Sequence, residues 1–489
     1  MRLLLFCLFC AFRSAAAPLP PAAGILWSTL NVVADGRTDN TAALNALPIG
    51  VAILGDCPLG GAVLAQGVWN LRSHLHVSVL AGCEVLSNAT GLGSYAISHL
   101  NPEAPLENVT LVGLTVSKTT RAAGDRVLLA YIDNFQLLNW TFRHHGGAMF
   151  LRGSCQEVAG GRSFDAALEV GSPGVRHVGN LPKAACARAQ PASVWVHHNS
   201  IASGDGAYQA CQPLDRNIWF NVGSDDLLFE DNTGSSAASA FILVGLSNDA
   251  HSAFGCANVT FQNMQGSGLR LIYVQAGAAP NAVERVALRG LLLTRTPYLS
   301  YAPASIQVTA VKGGAVRSVL MDGVRAQNTS VVGLNETGLL EGVVFTNGEI
   351  AAPAAGGAGA NVDINGGAAA ELSNSLIGGF NGNSVSIGGG ALGTKVVNCS
   401  LAGIGDNGVG VALGSANGSV LLSNAFSALR GAARTTGIAM DASGPAATAH
   451  AEVHSNDVRA MAVGIVCGRG AGNNVTGNPG AKDCGAQTK

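Results

Sequence analysis

The stretch TKVVNCSLAGIGDNGVGVALGSANGSVLLSN, Thr394 to Asn424, contains the pattern that decides the fold. It holds two apolar segments that end in Asn, KVVN and VLLSN, and between them lies another apolar segment, GVGVAL. Short alternating segments of this kind, bounded by Gly and Asn, are typical of β-strands joined by tight turns.

The same pattern recurs along most of the chain. Strand-like segments end in Asn or Gly at Gly113, Asn139, Asn199, Asn232, Asn263, Gly290, Gly323, Asn347, Asn374, Asn398, Asn424 and Asn456. One long gap, from Asn139 to Asn199, leaves room for two turns and an inserted loop. A repeat of about 25 residues is too short for helical pairs or propeller blades, but it fits one coil of a β-solenoid. The sequence therefore predicts an all-β, single-stranded parallel β-helix of about a dozen coils, roughly 60 Å long.

One segment has helical periodicity. TDNTAALNAL, Thr38 to Leu47, carries apolar residues three and four positions apart, with Thr38 or Asp39 as N-cap. A solenoid needs its open apolar end covered, so we expect this helix to cap the N-terminal end of the rod.

The first residues indicate export. Arg2 precedes the apolar run LLLFCLFCAF and the small residues SAAA, the three regions of a signal peptide. We therefore assign residues 1–17 to a signal peptide and residues 25–480 to the β-helix, and expect a secreted protein without a membrane partner. Only 12% of the residues are charged and the net charge is -2, which gives no reason to expect nucleic acid as a partner.

The cysteines agree with an oxidising compartment. Nine remain after the signal peptide, and the pairs Cys57–Cys83, Cys155–Cys186 and Cys467–Cys484 are close in sequence. We expect Cys399 to be left over. Nine N-x-S/T sequons are glycosylation candidates or simply asparagines at turns. They begin at Asn88, Asn108, Asn139, Asn258, Asn328, Asn335, Asn398, Asn417 and Asn474.

The chain resembles the pectin lyase-like right-handed parallel β-helix proteins. The resemblance begins at LNVVADGRTDNTAALNAL (30–47), similar to the family's opening strand, turn and capping helix, and continues through the strands of residues 60–86. Within this superfamily, VWVHHNSIASGDGAYQA (194–210) and GLRLIYVQAG (268–277) are similar to the polygalacturonases of glycoside hydrolase family 28.

The resemblance to polygalacturonases implies an incomplete catalytic site. Their G-D-D turn, whose first Asp is the general acid, is G-D-G here, so Asp205 fills only the position of the acid. Their G-H-G falls near residues 239–241, which contain no histidine. Of their R-I-K, Arg270 is kept and Ile272 replaces the lysine. Asp165, in SFDAALEV, stands for the carboxylate of their N-T-D coil.

Two carboxyl groups about 6.5–9.5 Å apart would suffice for inverting hydrolysis of a glycosidic bond. Asp205 is the candidate acid and Asp165 the candidate base, because equivalent positions of neighbouring coils are about 4.8 Å apart. The alternative is that Asp205 is only a solvated turn residue.

Other polar residues follow the same corner of the coil. We predict a catalytic role for His145 as a proton shuttle, and a substrate-binding role for Arg270, whose fork suits a carboxylate. The remaining candidates for contacts with sugar rings or hydroxyls are His144, Tyr208, Gln209, Tyr273 and Gln275. The alternatives are polar turn residues and, for Arg270, a structural salt bridge.

Three further pairs of neighbouring residues are weaker candidates. Asp225–Asp226 and Glu230–Asp231 could bind calcium, but adjacent strand residues point to opposite faces, so solvated turns are the simpler interpretation. His197–His198 meets the same objection. Residues 351–470 offer no functional cluster and are interpreted as scaffold.

The sequence thus predicts a monomer that acts on a polysaccharide, by hydrolysis of a polyuronide-like, pectin-type chain. A non-catalytic polysaccharide-binding protein and a polysaccharide lyase are the alternatives. No cofactor is predicted, since no nucleotide, haem or zinc motif is present, and calcium has no further support.

Overall fold

The computed structural model describes these parts of the chain: 24–58, 60–88, 95–99, 106–118, 126–143, 149–164, 168–171, 192, 194–202, 219–222, 225–245, 256–277, 281–295, 305–311, 313–329, 332–336, 338–351, 362–378, 383–440, 450–467 and 473–480. Every strand pairing in them is parallel, and each strand pairs with its counterpart one coil away. The protein is a right-handed parallel β-helix, as predicted. Its strands form three long faces, called sheets A, B and C in the order in which each coil visits them.

The strands within a single sheet are short. Sheet A contains Ile25–Leu26, Ala52–Gly55, His76–Val79, Leu106–Val112, Val194–His197, Leu227–Glu230, Cys256–Gln262, Ala282–Arg289, Ala315–Asp322, Leu339–Thr346, Glu371–Ser373, Lys395–Val397, Val420–Leu422, Glu452–His454 and Asn474–Thr476. Sheet B contains Asp35–Asp39, Ala62–Ala65, Glu84–Ser87, Thr115–Lys118, Thr141–Arg143, Arg162–Phe164, Ser200–Ala202, Leu292–Arg295, Arg325–Gln327, Glu349–Ala351, Leu376–Gly378, Ser400–Ile404, Ala425–Ala428 and Asp457–Ala460. Sheet C contains Trp69–Asn70, Tyr95–His99, Leu168–Gly171, Trp219–Val222, Ile306–Ala310, Val332–Glu336, Val362–Asn365, Asn383–Gly388, Val409–Leu413, Thr436–Met440 and Val463–Val466.

Four longer strands pass from one sheet to the next. Arg126–Leu138 and Met149–Ala159 run from sheet C into sheet A, and Thr233–Val244 and Gln265–Ala276 run from sheet B into sheet C. Sheet A therefore has seventeen strands among the described residues, fifteen short ones and two halves of longer ones. The rod is longer than the predicted dozen coils, because it includes the coils of Ile25–Leu26, Ala52–Gly55 and His76–Val79, an extra coil at Gly160 and a last coil at Asn474–Thr476.

Left-handed backbone corners accompany most strands of sheet A. In eleven of the described coils, two residues with positive φ stand five positions apart, and strand residues lie between them. The pairs are Asn108 and Gly113, Asn134 and Asn139, Asp226 and Asp231, Asn258 and Asn263, Arg285 and Gly290, Ser318 and Gly323, Gly342 and Asn347, Ala369 and Asn374, Gly393 and Asn398, Gly418 and Ser423, and His450 and Ser455. Asn and Gly recur there because they tolerate this conformation at the lowest steric cost. Five of the nine sequon asparagines occupy left-handed positions, in line with the turn interpretation: Asn108, Asn139, Asn258, Asn328 and Asn398.

The long gap in the repeat holds one extra coil. Gly160 has a left-handed φ of 64° between the corners at Asn139 and His198, and the strand before it pairs with Val194–His197. The predicted two turns are therefore present, and the insertion falls in the second of them.

Four of the repeat asparagines are not at the corner but one residue beyond it, and this part of the prediction was wrong. Asn199, Asn232, Asn424 and Asn456 are at most 1% exposed. Their side chains point into the rod and form hydrogen-bonded ladders from coil to coil. The amide of Asn199 donates to Oδ1 of Asn232 at 3.0 Å, and that of Asn424 donates to Oδ1 of Asn456 at 2.9 Å.

These ladders satisfy buried backbone groups at a point where the chain turns. Oδ1 of Asn424 accepts the backbone N–H of Cys399 at 2.9 Å, and its Nδ2 donates to the carbonyl of Val396 at 2.8 Å. A buried N–H without an acceptor costs about 1–3 kcal/mol. The interior asparagines therefore stabilise the turn from inside, as the exposed corner residues do from outside.

The N-terminal end is covered by the predicted helix in a shorter form. The helix spans Thr41–Asn45, while Thr38 and Asp39 belong to the preceding strand, and Asn40 is the N-cap residue. The carboxylate of Asp39 still accepts hydrogen bonds from the Thr41 hydroxyl and, at 3.0 Å, from the Thr41 backbone N–H. These bonds favour the ionised form and lower the pKa of Asp39. The helix residue Leu44 is 1% exposed and packs into the core.

The core runs along the whole rod. Buried Val, Ile, Leu and Phe side chains stack from Trp27 to Ile465 as one continuous cluster. The predicted disulfide between Cys57 and Cys83 is present, and Cys399 is a free, buried cysteine, as expected. Cys467 is disulfide-bonded, but its predicted partner Cys484 lies outside the described residues, as does Cys186.

Asn424→Ala should lower the free energy of unfolding by about 2–4 kcal/mol, since the Cys399 N–H and the Val396 carbonyl lose their partner in the interior. Asn417→Ala is the matched control at an exposed asparagine, with an expected change within about 0.5 kcal/mol. Urea unfolding followed by circular dichroism measures both. Equal losses in the two variants would contradict a specific role of the ladder.

Candidate functional site

The predicted catalytic residues lie outside the described residues. This applies to His144, His145, Asp165 and Asp205, and equally to Tyr208 and Gln209. Their assignments therefore stay predictions.

The described strands that precede them in sequence are Thr141–Arg143 before His145, Arg162–Phe164 before Asp165 and Ser200–Ala202 before Asp205. These three sheet B strands pair with one another in that order, so the strands belong to three successive coils.

Arg270 and Tyr273 are described, and they lie together on sheet C. The guanidinium carbon of Arg270 is 4.7 Å from the centroid of the Tyr273 ring, a cation–π arrangement. Both side chains are half-buried, and Gln275 on the same strand is 6% exposed. The prediction that Arg270 and Tyr273 share one surface is thus supported by their contact, while their substrate-binding role stays a prediction.

The positions to which the resemblance to polygalacturonases assigns a histidine and a lysine are apolar here. Ala240 pairs in register with Arg270, one coil away, and both Ala240 and Phe241 are fully buried. Ile272 is also fully buried. These residues pack in the core, so no polar side chain takes the place of the histidine or of the lysine.

The outer surface of sheet C stays polar beyond Arg270. In register, Tyr273 is followed coil by coil by Gln307, Gly333, Asp363 and Ser386. Three coil spacings of about 4.8 Å separate the Tyr273 and Asp363 positions, or about 14 Å. Because Gly333 has no side chain, the surface is lower between Gln307 and Asp363.

Asp363 is a half-buried carboxyl group that the sequence analysis assigned to scaffold. Its neighbours in the strand, Val362 and Ile364, are fully buried, so Asp363 faces outward from VDIN. Burial disfavours the ionised form and raises the pKa of Asp363 above its usual value. A carboxyl group that keeps its proton to higher pH is suited to donate it. The alternation in VDIN was the signal that could have identified it.

Sheet A carries a second polar cluster, which corrects the interpretation of His197 and His198. Nδ1 of His197 is 2.9 Å from Nδ1 of His198, so the two rings meet on one side of the sheet. The rule of opposite faces fails here because His198 is a left-handed corner with φ 55° rather than a strand residue. Nε2 of His197 also lies 3.3 Å from Oε1 of Glu157, and Nε2 of His198 lies 3.5 Å from Oδ2 of Asp231.

The acidic pairs are part of the same corners. Asp226 and Asp231 have positive φ, whereas Glu230 lies in the strand and accepts a hydrogen bond from Nε2 of Gln262 at 2.8 Å. Asp225 accepts the backbone N–H of Ala257 at 2.6 Å, yet burial outweighs this bond and raises its pKa. Within the described parts of the chain, no group of three or more His, Cys, Asp or Glu side chains is arranged to hold a metal ion.

Comparison with solved structures identifies the fold. The tailspike protein of E. coli bacteriophage HK620, solved with a pentasaccharide, matches over 82% of this chain and 78% of its own, with 12% identity and a TM-score of 0.52. The two chains share the parallel β-helix fold. At this identity the likeness concerns the fold alone.

Two other solved structures match with lower scores. A surface adhesin of Streptococcus pneumoniae matches over 87% of this chain and 93% of its own, with 12% identity and a TM-score of 0.40. The catalytic unit of an α-1,3-glucanase from Streptomyces thermodiastaticus matches over 96% and 72%, with 14% identity and a TM-score of 0.38. No protein-family model and no characterised protein sequence matches the chain. No helix in the described part of the chain is long and apolar enough to cross a membrane.

Replacing the carboxyl group should reveal the cost of burying Asp363. The pKa of Asp363 is raised in the folded state. Ionisation therefore destabilises the fold as pH rises above the pKa of the carboxyl group in the unfolded chain, about 3.8. Asp363→Asn should therefore have a higher Tm than wild type at pH 7, and this gain should nearly vanish near pH 3. Differential scanning calorimetry at both pH values measures it.

Asp457→Asn is the contrasting control. A hydrogen bond from Arg459 lowers the pKa of Asp457 to about 2, so its ionised form stabilises the fold and its replacement should lower Tm at pH 7. A Tm loss at pH 7 in Asp363→Asn would contradict the raised pKa.

Proposed function

We propose that this protein acts on an extended acidic polysaccharide that lies along the outer surface of sheet C. The observation that carries the proposal is the Arg270–Tyr273 pair, a fixed cation beside an aromatic ring. A guanidinium fork matches the carboxylate of a uronic acid, and an aromatic ring offers an apolar surface to a sugar. Gln307 and Asp363 extend this surface over further coils, which suits a chain rather than a single sugar.

The reaction that we favour is hydrolysis of a polyuronide-like, pectin-type chain. Asp205 would give its proton to the leaving glycosidic oxygen, while Asp165 would take a proton from the water that attacks the anomeric carbon. The bond between the anomeric carbon and the leaving oxygen breaks, and a new reducing end forms. His145 would relay protons, and Arg270 would bind the uronate carboxylate.

A second candidate is a non-catalytic polysaccharide-binding protein. It is supported by the burial of Ala240, Phe241 and Ile272, at positions to which the resemblance would assign functional side chains of polygalacturonases. A lyase reaction, which abstracts the proton at C5 of a uronic acid, is the third candidate. Its product carries an absorbing double bond, so one assay separates all three.

Asp205→Asn should abolish product release if Asp205 is the acid, because an amide cannot supply the proton. Purified protein is incubated with polygalacturonate, alginate and neutral polysaccharides, and both new reducing ends and ultraviolet absorbance are recorded. Glu452→Gln is the matched control at an exposed carboxylate on sheet A, and it should keep full activity.

The same assay has three other outcomes. Reducing ends that persist in Asp205→Asn but disappear in Asp363→Asn would transfer the acid role to Asp363. Absorbing products would indicate a lyase. Binding without any product in wild type would leave the non-catalytic function.

Arg270→Ala should weaken binding of an oligogalacturonate at the sheet C site by tenfold or more, because the carboxylate loses a charged bidentate donor. Arg270→Lys should recover only part of the affinity, since an ammonium group lacks the fork. Isothermal titration calorimetry measures both, with Arg325→Ala, an exposed arginine on sheet B, as control. Unchanged affinity in Arg270→Ala would remove this residue from the site.

A further inference from the structure

A groove of about 510 Å³ crosses the outer surface of sheet A, away from the sheet C surface. Its floor is formed by outward side chains of four successive coils, Leu228, Thr260, Ala287 and Leu320, which follow one another in register. Four coils give it a length of about 14 Å. Ala287 has the smallest side chain of the four.

One wall of the groove consists of left-handed corner residues. Asp226, Asn258, Arg285 and Ser318 have φ values of 52° to 58° and line the same side. Nε of Arg285 donates to Oδ1 of Asn258 at 2.7 Å, and Nη1 lies 3.3 Å from Oε2 of Glu284. These contacts hold the guanidinium group in place, and Nη2 takes part in neither of them.

The other wall lies at the far end of the same strands. Arg289 and Gln262 pair in register there and line the groove. Arg285 and Arg289 belong to one strand, with Ala287 midway between them, so a cation stands on each side of Ala287. Asp226 is the only carboxylate among the described lining residues, which leaves the lining with a net positive charge in a chain of net charge -2.

The end of the groove is marked by an aromatic residue. Trp195 precedes Leu228 by one coil in the floor register, and its indole stacks on the His197 ring at a centroid distance of 3.8 Å. Nε2 of His197 is in turn 3.3 Å from Oε1 of Glu157, and this contact holds the His197 ring against the indole.

We propose that this groove is a second, non-catalytic binding site for an acidic saccharide. The apolar floor can accept the C–H face of a sugar ring, the amides and hydroxyls of the walls can bind its hydroxyl groups, and Arg285 and Arg289 can bind a carboxylate. A simple inorganic anion would not use the apolar floor, and a neutral sugar would not use the two arginines. The inference takes only the ligand class from the proposed function and does not depend on catalysis.

The site is tested by titrating a trigalacturonate into the full chain and counting the sites per molecule by isothermal titration calorimetry. Wild type should show two sites. Arg289→Gln removes one cation, and Ala287→Phe places a large side chain on the floor of the groove. Each variant should lose one site or weaken it at least tenfold. Arg325→Ala is the control variant, and the neutral trisaccharide, whose carboxyl groups are reduced, tests whether binding needs the carboxylates.

The outcomes separate this inference from the proposed function. Two sites retained in both groove variants, with one lost in Arg270→Ala, would overturn the groove and leave the sheet C site. One site lost in the groove variants, with none lost in Arg270→Ala, would support the groove and overturn the sheet C site. A wild type that binds no trigalacturonate would overturn both. An unchanged Tm in Arg289→Gln assures that a lost site is not lost folding.

Discussion

The fold depends on one constraint: each coil must return to the same place and register about 4.8 Å further along the axis. Parallel strands can then bond to both neighbours, and every described pairing satisfies this. The left-handed corners beside most sheet A strands contribute to this return, because they turn the chain within a single residue. Where the corner residue alone is insufficient, buried asparagines such as Asn199 and Asn424 bind the turning backbone from inside.

The sequence was sufficient to predict the fold, since the repeat, the strand alternation and the cap helix all report on local conformation. It was less informative at the corners, because a residue of positive φ changes the side of the sheet to which the next side chain points. Asn199 was placed one position off for this reason, and the His197–His198 contact was dismissed. Conversely, Asp363 was overlooked although plain alternation places it outward, because its surroundings in sequence are small and apolar.

The candidate site was predictable only where its residues lie close together on one strand. Arg270 and Tyr273 are three residues apart, and their contact follows from a local segment. The sheet A groove could not be foreseen, since its floor comes from four coils. Such a surface depends on which coils are adjacent and on the register in which their strands pair.

The asparagine ladders have a consequence for how such a chain can evolve. Asn199 and Asn232 form one ladder, and Asn424, Asn456 and Asn478 form another, with Met264 and Leu291 at the equivalent position in coils between them. Each ladder joins side chains of neighbouring coils, so deletion of one coil removes a side-chain acceptor from the amide of the coil before it. A coil with an apolar residue at that position has no such hydrogen bond to lose. Gain or loss of whole coils is therefore least costly in the apolar stretch, which makes the middle of the rod the place where its length can change.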